Sequence, residues 1–430
     1  MQAMLIGVAG FSAVLGLLLL RVPVAVALGV AGLAGVVWQQ GWGHVLLLQT
    51  GLDVAVIDGL AVVPLLAMMS AIASHAGLSR QIYDAALALL GHWRGGLAMA
   101  SLLAAAAFAA VCGSAVAAAA TICRVTLPDM RRRGYADGLS AASIAAGSTL
   151  GLLLPPSILL MLYALLTGQS LGKLYVAALL PSLLGLLLYM AATRIGLRGG
   201  AKAAATKLPA QSWAMRGRQL AAIWPLLVLF VVVMGGLFIG LLPSQAAALG
   251  LVAALGFALA AGTLTGPRFK TALLEAAQTT GMVMLVLLGA LFFTMFLSAA
   301  QVPQVLAGEL AASGINPVLF LLLLALGYWL LGSMIDDLAV IVLTLPFVFP
   351  MAQALAIDPI WFGIYLVTIV EIGLILPPWG MLLFVIQGSS GVKATAIMRG
   401  MLPFMAANLL RVALLIAFPA LALALPGLMH

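Results

Sequence analysis

The chain has 430 residues, 65% of them hydrophobic and 7% charged, with 19 Lys and Arg against 11 Asp and Glu, and a mean hydropathy of +1.25. A soluble domain keeps about a quarter of its residues charged, so this chain cannot cover itself for water, and its solvent is the lipid bilayer. Its basic balance includes no aromatic-interleaved patch of the kind nucleic acid needs; it fits the Lys- and Arg-rich cytoplasmic loops of a membrane protein.

Two apolar runs open the chain, Met4–Leu20 and Val22–Trp38. No basic segment precedes the first and no cleavage site follows it, so it reads as a retained span and not as a signal peptide. A spanning helix needs roughly 20 mostly apolar residues, and these runs are apolar all round. Barrel strands would alternate apolar and polar residues, so the class is all-α polytopic membrane protein. Gly96–Leu127 comes next, broken at Cys112–Ala115 and flanked by Arg94 and Arg131–Arg133. Basic residues at both ends predict a re-entrant hairpin that enters and leaves on the cytoplasmic face. Leu139–Leu166 and Leu174–Ala192 then cross and return, and a basic loop over 194–218 follows. Leu220–Gly240 and a further crossing lead to Arg268 and Lys270, and Ala272–Ser298 exits again. Pro317–Ala352 is too long for one span and is broken at Gly332–Asp337. No Lys or Arg stands between Lys270 and Lys393, so this segment reads as a second re-entrant hairpin, entering from the non-cytoplasmic face. Ile360–Gln387 returns to Lys393, and Met401–Leu425 closes the chain. Lys173 alone falls on the outer side of this scheme.

One pattern occurs twice. Gly151-Leu-Leu-Leu-Pro155-Pro156 recurs as Gly373-Leu-Ile-Leu-Pro377-Pro378, and each is preceded by a Gly-Ser pair in a broken hairpin, Gly113-Ser114 and Gly332-Ser333. The charges give the two units opposite orientations, which predicts an inverted-topology repeat with two re-entrant hairpins and two interrupted helices. Proline removes an N–H and disrupts the carbonyl four residues back, and glycine tolerates unwinding. The freed carbonyls suit a hard cation, and the half-helix N-termini suit an anion.

At these residues the sequence resembles the large membrane subunit of tripartite ATP-independent periplasmic transporters. The likeness rests on Cys112-Gly-Ser114, Leu127-Pro-Asp-Met130, Arg133-Gly-Tyr135 and Gly151–Tyr163 in the first half. In the second it rests on Leu331-Gly-Ser-Met-Ile-Asp336, Leu345-Pro346, Ile357-Asp-Pro359, Phe362-Gly363 and Glu371–Pro378. The pattern departs at Leu376, where a Thr usually precedes Pro-Pro, which leaves only backbone ligation there. It departs again at Leu242-Pro-Ser-Gln-Ala246, where an amide replaces a carboxylate.

The resemblance implies a sodium-coupled, elevator-type importer of a small organic anion, a carboxylate or sulfonate, in the bacterial inner membrane. Its implied partners are a periplasmic substrate-binding protein and a small membrane subunit of about four spans, here a separate chain. Residues 96–166 and 315–390 would form the two halves of the transport unit. Residues 1–95, 167–314 and 391–430 would form the scaffold.

For the first cation site the candidates are Ser114, Gly147, Ser148, Thr149, Gly151 and Pro155, and for the second Gly332, Asp336, Gly373, Leu376 and Pro378. Substrate candidates are Ser114, Ser157, Ser333, Asp337 and Glu371, although Glu371 could equally pair with a basic group. Sodium, at two or more positions, is the only cofactor implied. Arg411, in an apolar segment, either snorkels or meets lipid headgroups or the partner subunit. His44, His75, His92 and His430 are scattered, and Cys112 and Cys123 lack metal spacing. Two other classes remain, a stand-alone anion symporter and an integral membrane enzyme. No nucleophile elbow, phosphate loop or His/Cys/Asp cluster supports the enzyme.

Overall fold

A computed structural model describes residues 2–41, 58–197 and 209–429. His44, Arg198, Lys202, Lys207 and His430 lie outside the described residues, and with them much of the basic loop. Every described element is helical. Among the described residues five helices are long and apolar enough to cross a membrane, or seven if each of two bent pairs counts as one span.

The first helices are α1 (Gln2–Leu19), α2 (Val24–Gln40), α3 (Asp58–His75) and α4 (Leu78–Leu90). α4 turns 70° away from α3. Then come α5 (Gly96–Cys112), α6 (Ala115–Arg132), α7 (Asp137–Leu150), α8 (Ile158–Thr167) and α9 (Leu171–Gly196). After the basic loop follow α10 (Trp213–Ala222), α11 (Trp224–Phe238), α12 (Pro243–Ala260) and α13 (Gly266–Ala299). The second half holds α14 (Val302–Ala312), α15 (Pro317–Met334), α16 (Asp337–Ala354), α17 (Pro359–Ile375) and α18 (Met381–Ser390). It closes with α19 (Ala394–Ala417) and the short α20 (Ala420–Leu423). The final apolar run is thus two helices and not one, because Phe418-Pro419 interrupts it.

Both helix pairs expected to be broken are broken where glycine, serine and aspartate accumulate. α5 ends on Gly113, at φ +65°, and Ser114 caps α6. α15 ends on Ile335, and Asp336 stands at the N-cap of α16. The Gly-x-x-x-Pro-Pro segments likewise separate α7 from α8 and α17 from α18, with Pro155-Pro156 and Pro377-Pro378 both cis.

The packing repeats with the sequence. α5 lies on α7 as α15 lies on α17, and α6 meets α18 as α16 meets α8. Each hairpin therefore hands its second arm to the other half's short helix. α9 and α19 pack on each other and on both interrupted helices. Among the outer helices, α2 and α13 approach closely: a Cβ on Gly32 would stand 2.4 Å from the Phe293 backbone N, and one on Gly289 2.4 Å from Ala25 O. Small residues at crossings are how helices come together in lipid, where burial of apolar surface gives no advantage.

Apart from Asp336, Asp337, Glu371 and Arg411, the charged groups that follow mark the two ends. Arg194 stacks over Trp93 at 5.1 Å, Arg131 donates to Ser390 O at 3.1 Å, and Gly138 lies against Ala396 O. The bases of α5 and α6 thus share one end with the Arg194 and Lys393 regions. At the opposite end Tyr163 donates to Pro359 O at 2.6 Å, which places Asp358 and the base of the second hairpin there. The bases of the α5–α6 and α15–α16 pairs therefore lie at opposite ends of the helix assembly. Between the ends the outer surface is apolar, with Leu19, Leu187, Phe238, Val252 and Leu326 more than half exposed.

Cysteines introduced singly at Arg132 and Gln169, in a background free of native cysteine, should label from opposite faces in oriented vesicles. Labelling of both from one face would contradict the arrangement.

Candidate ion and substrate site

Each interruption leaves a helix C-terminus with unpaired carbonyls and a helix N-terminus with unpaired N–H groups. The fold puts like ends together. In the first half, a Cβ on Gly151 would stand 2.1 Å from Ala109 Cβ and 2.7 Å from the Ala109 carbonyl carbon. The C-terminal ends of α5 and α7 therefore lie against each other. In the second half, a Cβ on Gly373 would stand 2.8 Å from Gly332 Cα, so the ends of α15 and α17 touch backbone to backbone. A pair of converging C-terminal ends concentrates carbonyl oxygens and negative dipole. Two such clusters, one per half, are the features best suited to a hard monovalent cation.

The side chains of the first cluster are turned inward. Ser148 and Thr149 are fully buried, and their hydroxyls donate to Ile144 O and Ala146 O, each at 2.9 Å. Their lone pairs and backbone carbonyls are what they can offer a cation. Gly147 is needed for contact: a Cβ there would lie 2.3 Å from Leu102 O. Pro155 sits in the non-helical segment beyond Gly151. In the second cluster Leu376 O accepts from Gly380 N at 2.8 Å and keeps a second lone pair, while Pro378 follows in the turn. Asp336 and Asp337 stand side by side at the start of α16, and the Asp337 carboxylate accepts from Leu338 N at 3.0 Å.

The N-terminal ends carry the hydroxyls. Ser114 accepts from Ala117 N at 3.3 Å, and Ser157 accepts from Leu160 N at 3.2 Å while donating to Leu152 O. A Cβ on Gly113 would lie 3.1 Å from Ile158 Cδ1, so the hairpin tip and the start of α8 adjoin. Two positive helix ends, each opened by a serine, make a setting for an anion. Ser333 belongs to the other half; it is buried and donates to Leu330 O at 2.8 Å.

Glu371 and Arg411 lie apart from these ends. Both are fully buried, and Arg411 Nη2 donates to Glu371 Oε2. Of the two readings open for Glu371, the structure places it against a basic group. Arg411 neither snorkels nor reaches headgroups, because its partner is one helix away inside the protein. The sequence signalled only that each needs a partner, as a lone carboxylate and a lone guanidinium in two apolar segments, each costly in lipid when unpaired. Ala109, the counter-surface of Gly151, carried no signal of its own. Among the described residues no group of three or more His, Cys, Asp or Glu could hold a metal ion.

The sequence profile of the DctM component of the tripartite ATP-independent periplasmic transporter matches residues 11–421. The chain is 35% identical over 370 residues to the C4-dicarboxylate TRAP transporter large permease protein of Pseudomonas aeruginosa, covering 86% of each. It is 31% identical to the sialic acid TRAP transporter large permease protein of Vibrio cholerae, covering 96% of this chain and 97% of that one. In fold it is similar to the YdaH transporter of Alcanivorax borkumensis, at a TM-score of 0.62 and 18% identity, covering 88% of this chain and 89% of that one.

Substituting Gly373 or Gly151 by Val should destabilise the detergent-purified protein by about 1–3 kcal/mol through overpacking. Val at Gly388, where an added Cβ would meet nothing within 4 Å, should leave the melting temperature nearly unchanged. Ser157→Ala should cost roughly 1 kcal/mol through loss of the α8 cap, read in the same melting assay.

Proposed function

The chain belongs to the DctM-component family of tripartite ATP-independent periplasmic transporters, and we propose that it is the large membrane subunit of a sodium-coupled importer of a small organic anion. The observation that carries this reading is the pair of glycine contacts, Gly151 on Ala109 and Gly373 on Gly332, each joining two helix C-termini. One such contact would be a packing detail. Two, built on Gly151 and Gly373, the equivalent residues of the repeated motif, match how secondary transporters build their midplane sites.

In this reading the first cation lies among the carbonyls of 147–151 with Ser114 and Pro155 nearby. The second lies among those of Gly332, Gly373 and Leu376, with Asp336 supplying charge and Pro378 holding the turn. The anion meets the N-terminal ends at Ser114 and Ser157, with Ser333 and Asp337 approaching from the other half. Cations bound first neutralise the carbonyl clusters, which lowers the cost of bringing an anion to the same depth.

The two broken helix pairs act as re-entrant hairpins and move with α7, α8, α17 and α18 as one elevator unit against the outer helices. The small membrane subunit and a periplasmic binding protein complete the transporter in the bacterial inner membrane. The carboxylate substrates in the names of the two relatives favour a carboxylate here too.

The test is thermal stability in Na⁺ against K⁺ at matched ionic strength. A cation at ten times its dissociation constant stabilises by about 1.4 kcal/mol, so Na⁺ should raise the melting temperature. Asp336→Asn should diminish the rise. A folded protein that melts identically in both salts would argue against sodium coupling. Uptake into proteoliposomes holding all three components should then require inward-directed Na⁺.

A further inference from the structure

Glu371 and Arg411 sit where α7, α9, α17 and α19 converge. Glu371 is on α17, two residues before Gly373, and Arg411 is on α19. Asn408 stands one turn before Arg411, and Tyr189 comes from α9; both are fully buried. Thr149, next to the first interruption, lies beside the Tyr189 hydroxyl. Gly185 of α9 provides the clearance: a Cβ there would lie 2.6 Å from Arg411 Nη1 and 2.7 Å from Leu150 Cδ2. The guanidinium therefore touches the carboxylate ahead of the second interruption and packs toward the residue that ends the helix before the first.

This junction is not built for stability alone. A buried ion pair is commonly matched or bettered by apolar side chains of similar volume. Here five further polar atoms are left without a protein partner: Glu371 Oε1, Arg411 Nε and Nη1, and both amide atoms of Asn408. Buried donors and acceptors in such number are satisfied by water where each molecule finds two to four partners. The donors belong to Arg411 and Asn408, and the acceptors to Glu371 and Asn408, while the Tyr189 hydroxyl can serve as either. Bound water can therefore join all four side chains.

We propose that Glu371 and Arg411, joined by bound water to Asn408 and Tyr189, form a positioning strut that holds both helix interruptions in their cation-binding shape. The strut touches no cation. It fixes α17 just ahead of Gly373 and shares the Gly185 gap with Leu150, so a shift at one interruption is felt at the other. This rests on the cation reading above and adds to it a residue pair outside the carbonyl clusters.

The experiment compares the wild-type chain with Glu371→Leu/Arg411→Met, which removes both charges while keeping volume, and with Gly185→Ala, which crowds Arg411 without removing it. Melting temperatures are taken in K⁺ and then along a Na⁺ titration. The double variant should melt near the wild type in K⁺ but need about tenfold more Na⁺ for half its shift, and Gly185→Ala should need several-fold more. If wild type responds to Na⁺ and both variants respond at the same concentration, the pair is only structural and the proposal falls while the cation reading stands. If wild type shows no Na⁺-specific shift, both fall together. Should the double variant fail to fold, the Gly185→Ala titration decides alone.

Discussion

Backbone polar groups need partners, and hydrocarbon supplies none. Every spanning helix meets this demand within itself, but an interrupted helix cannot, because it exposes carbonyls at one new end and N–H groups at another. The architecture depends on how those ends are brought together. Gly151 lies against Ala109 and Gly373 against Gly332, and these contacts put C-terminal ends side by side at a spacing no larger residue would allow. Serine hydroxyls close the neighbouring N-termini at Ser114 and Ser157. In the proposed function, what would be a fold defect in another solvent becomes a way to present carbonyls to a cation and amides to an anion.

The cross-pairing of halves follows from the same constraint. α8 and α18 are ten-residue helices, too short to cross a bilayer alone. Each lies on the second arm of the opposite hairpin, so neither interruption can change shape without reaching the other half. Coupling between two sites needs elements that both sites bias, and here the two halves share them. The outer helices are built differently: α2 and α13 meet through glycine, with apolar side chains left facing outward.

The buried Glu371–Arg411 pair belongs to neither pattern. It is a buried charged junction next to both interruptions, with the buried Asn408 one turn before Arg411 and Tyr189 contributed by α9. Its cost argues for a use. Its unpartnered atoms are what the proposed water-joined strut accounts for.

Much of this was written plainly in the sequence. Hydropathy set the solvent and hence the helices, since apolar runs of spanning length have few other options. The spacing of Lys and Arg suggested opposite orientations for the two halves, and the recurrence of Gly-x-x-x-Pro-Pro behind a Gly-Ser pair marked where the helices stop. These are local properties, carried by neighbouring residues and readable one segment at a time. The tertiary structure alone decided which ends meet. Nothing near Gly151 names Ala109 as its counterpart, and nothing near Arg411 names Glu371, forty residues away. It also turned the hydroxyls of Ser148 and Thr149 onto carbonyls of their own helix. Contacts between distant segments depend on how whole helices cross, and a crossing is a property of two surfaces that no single stretch of sequence contains.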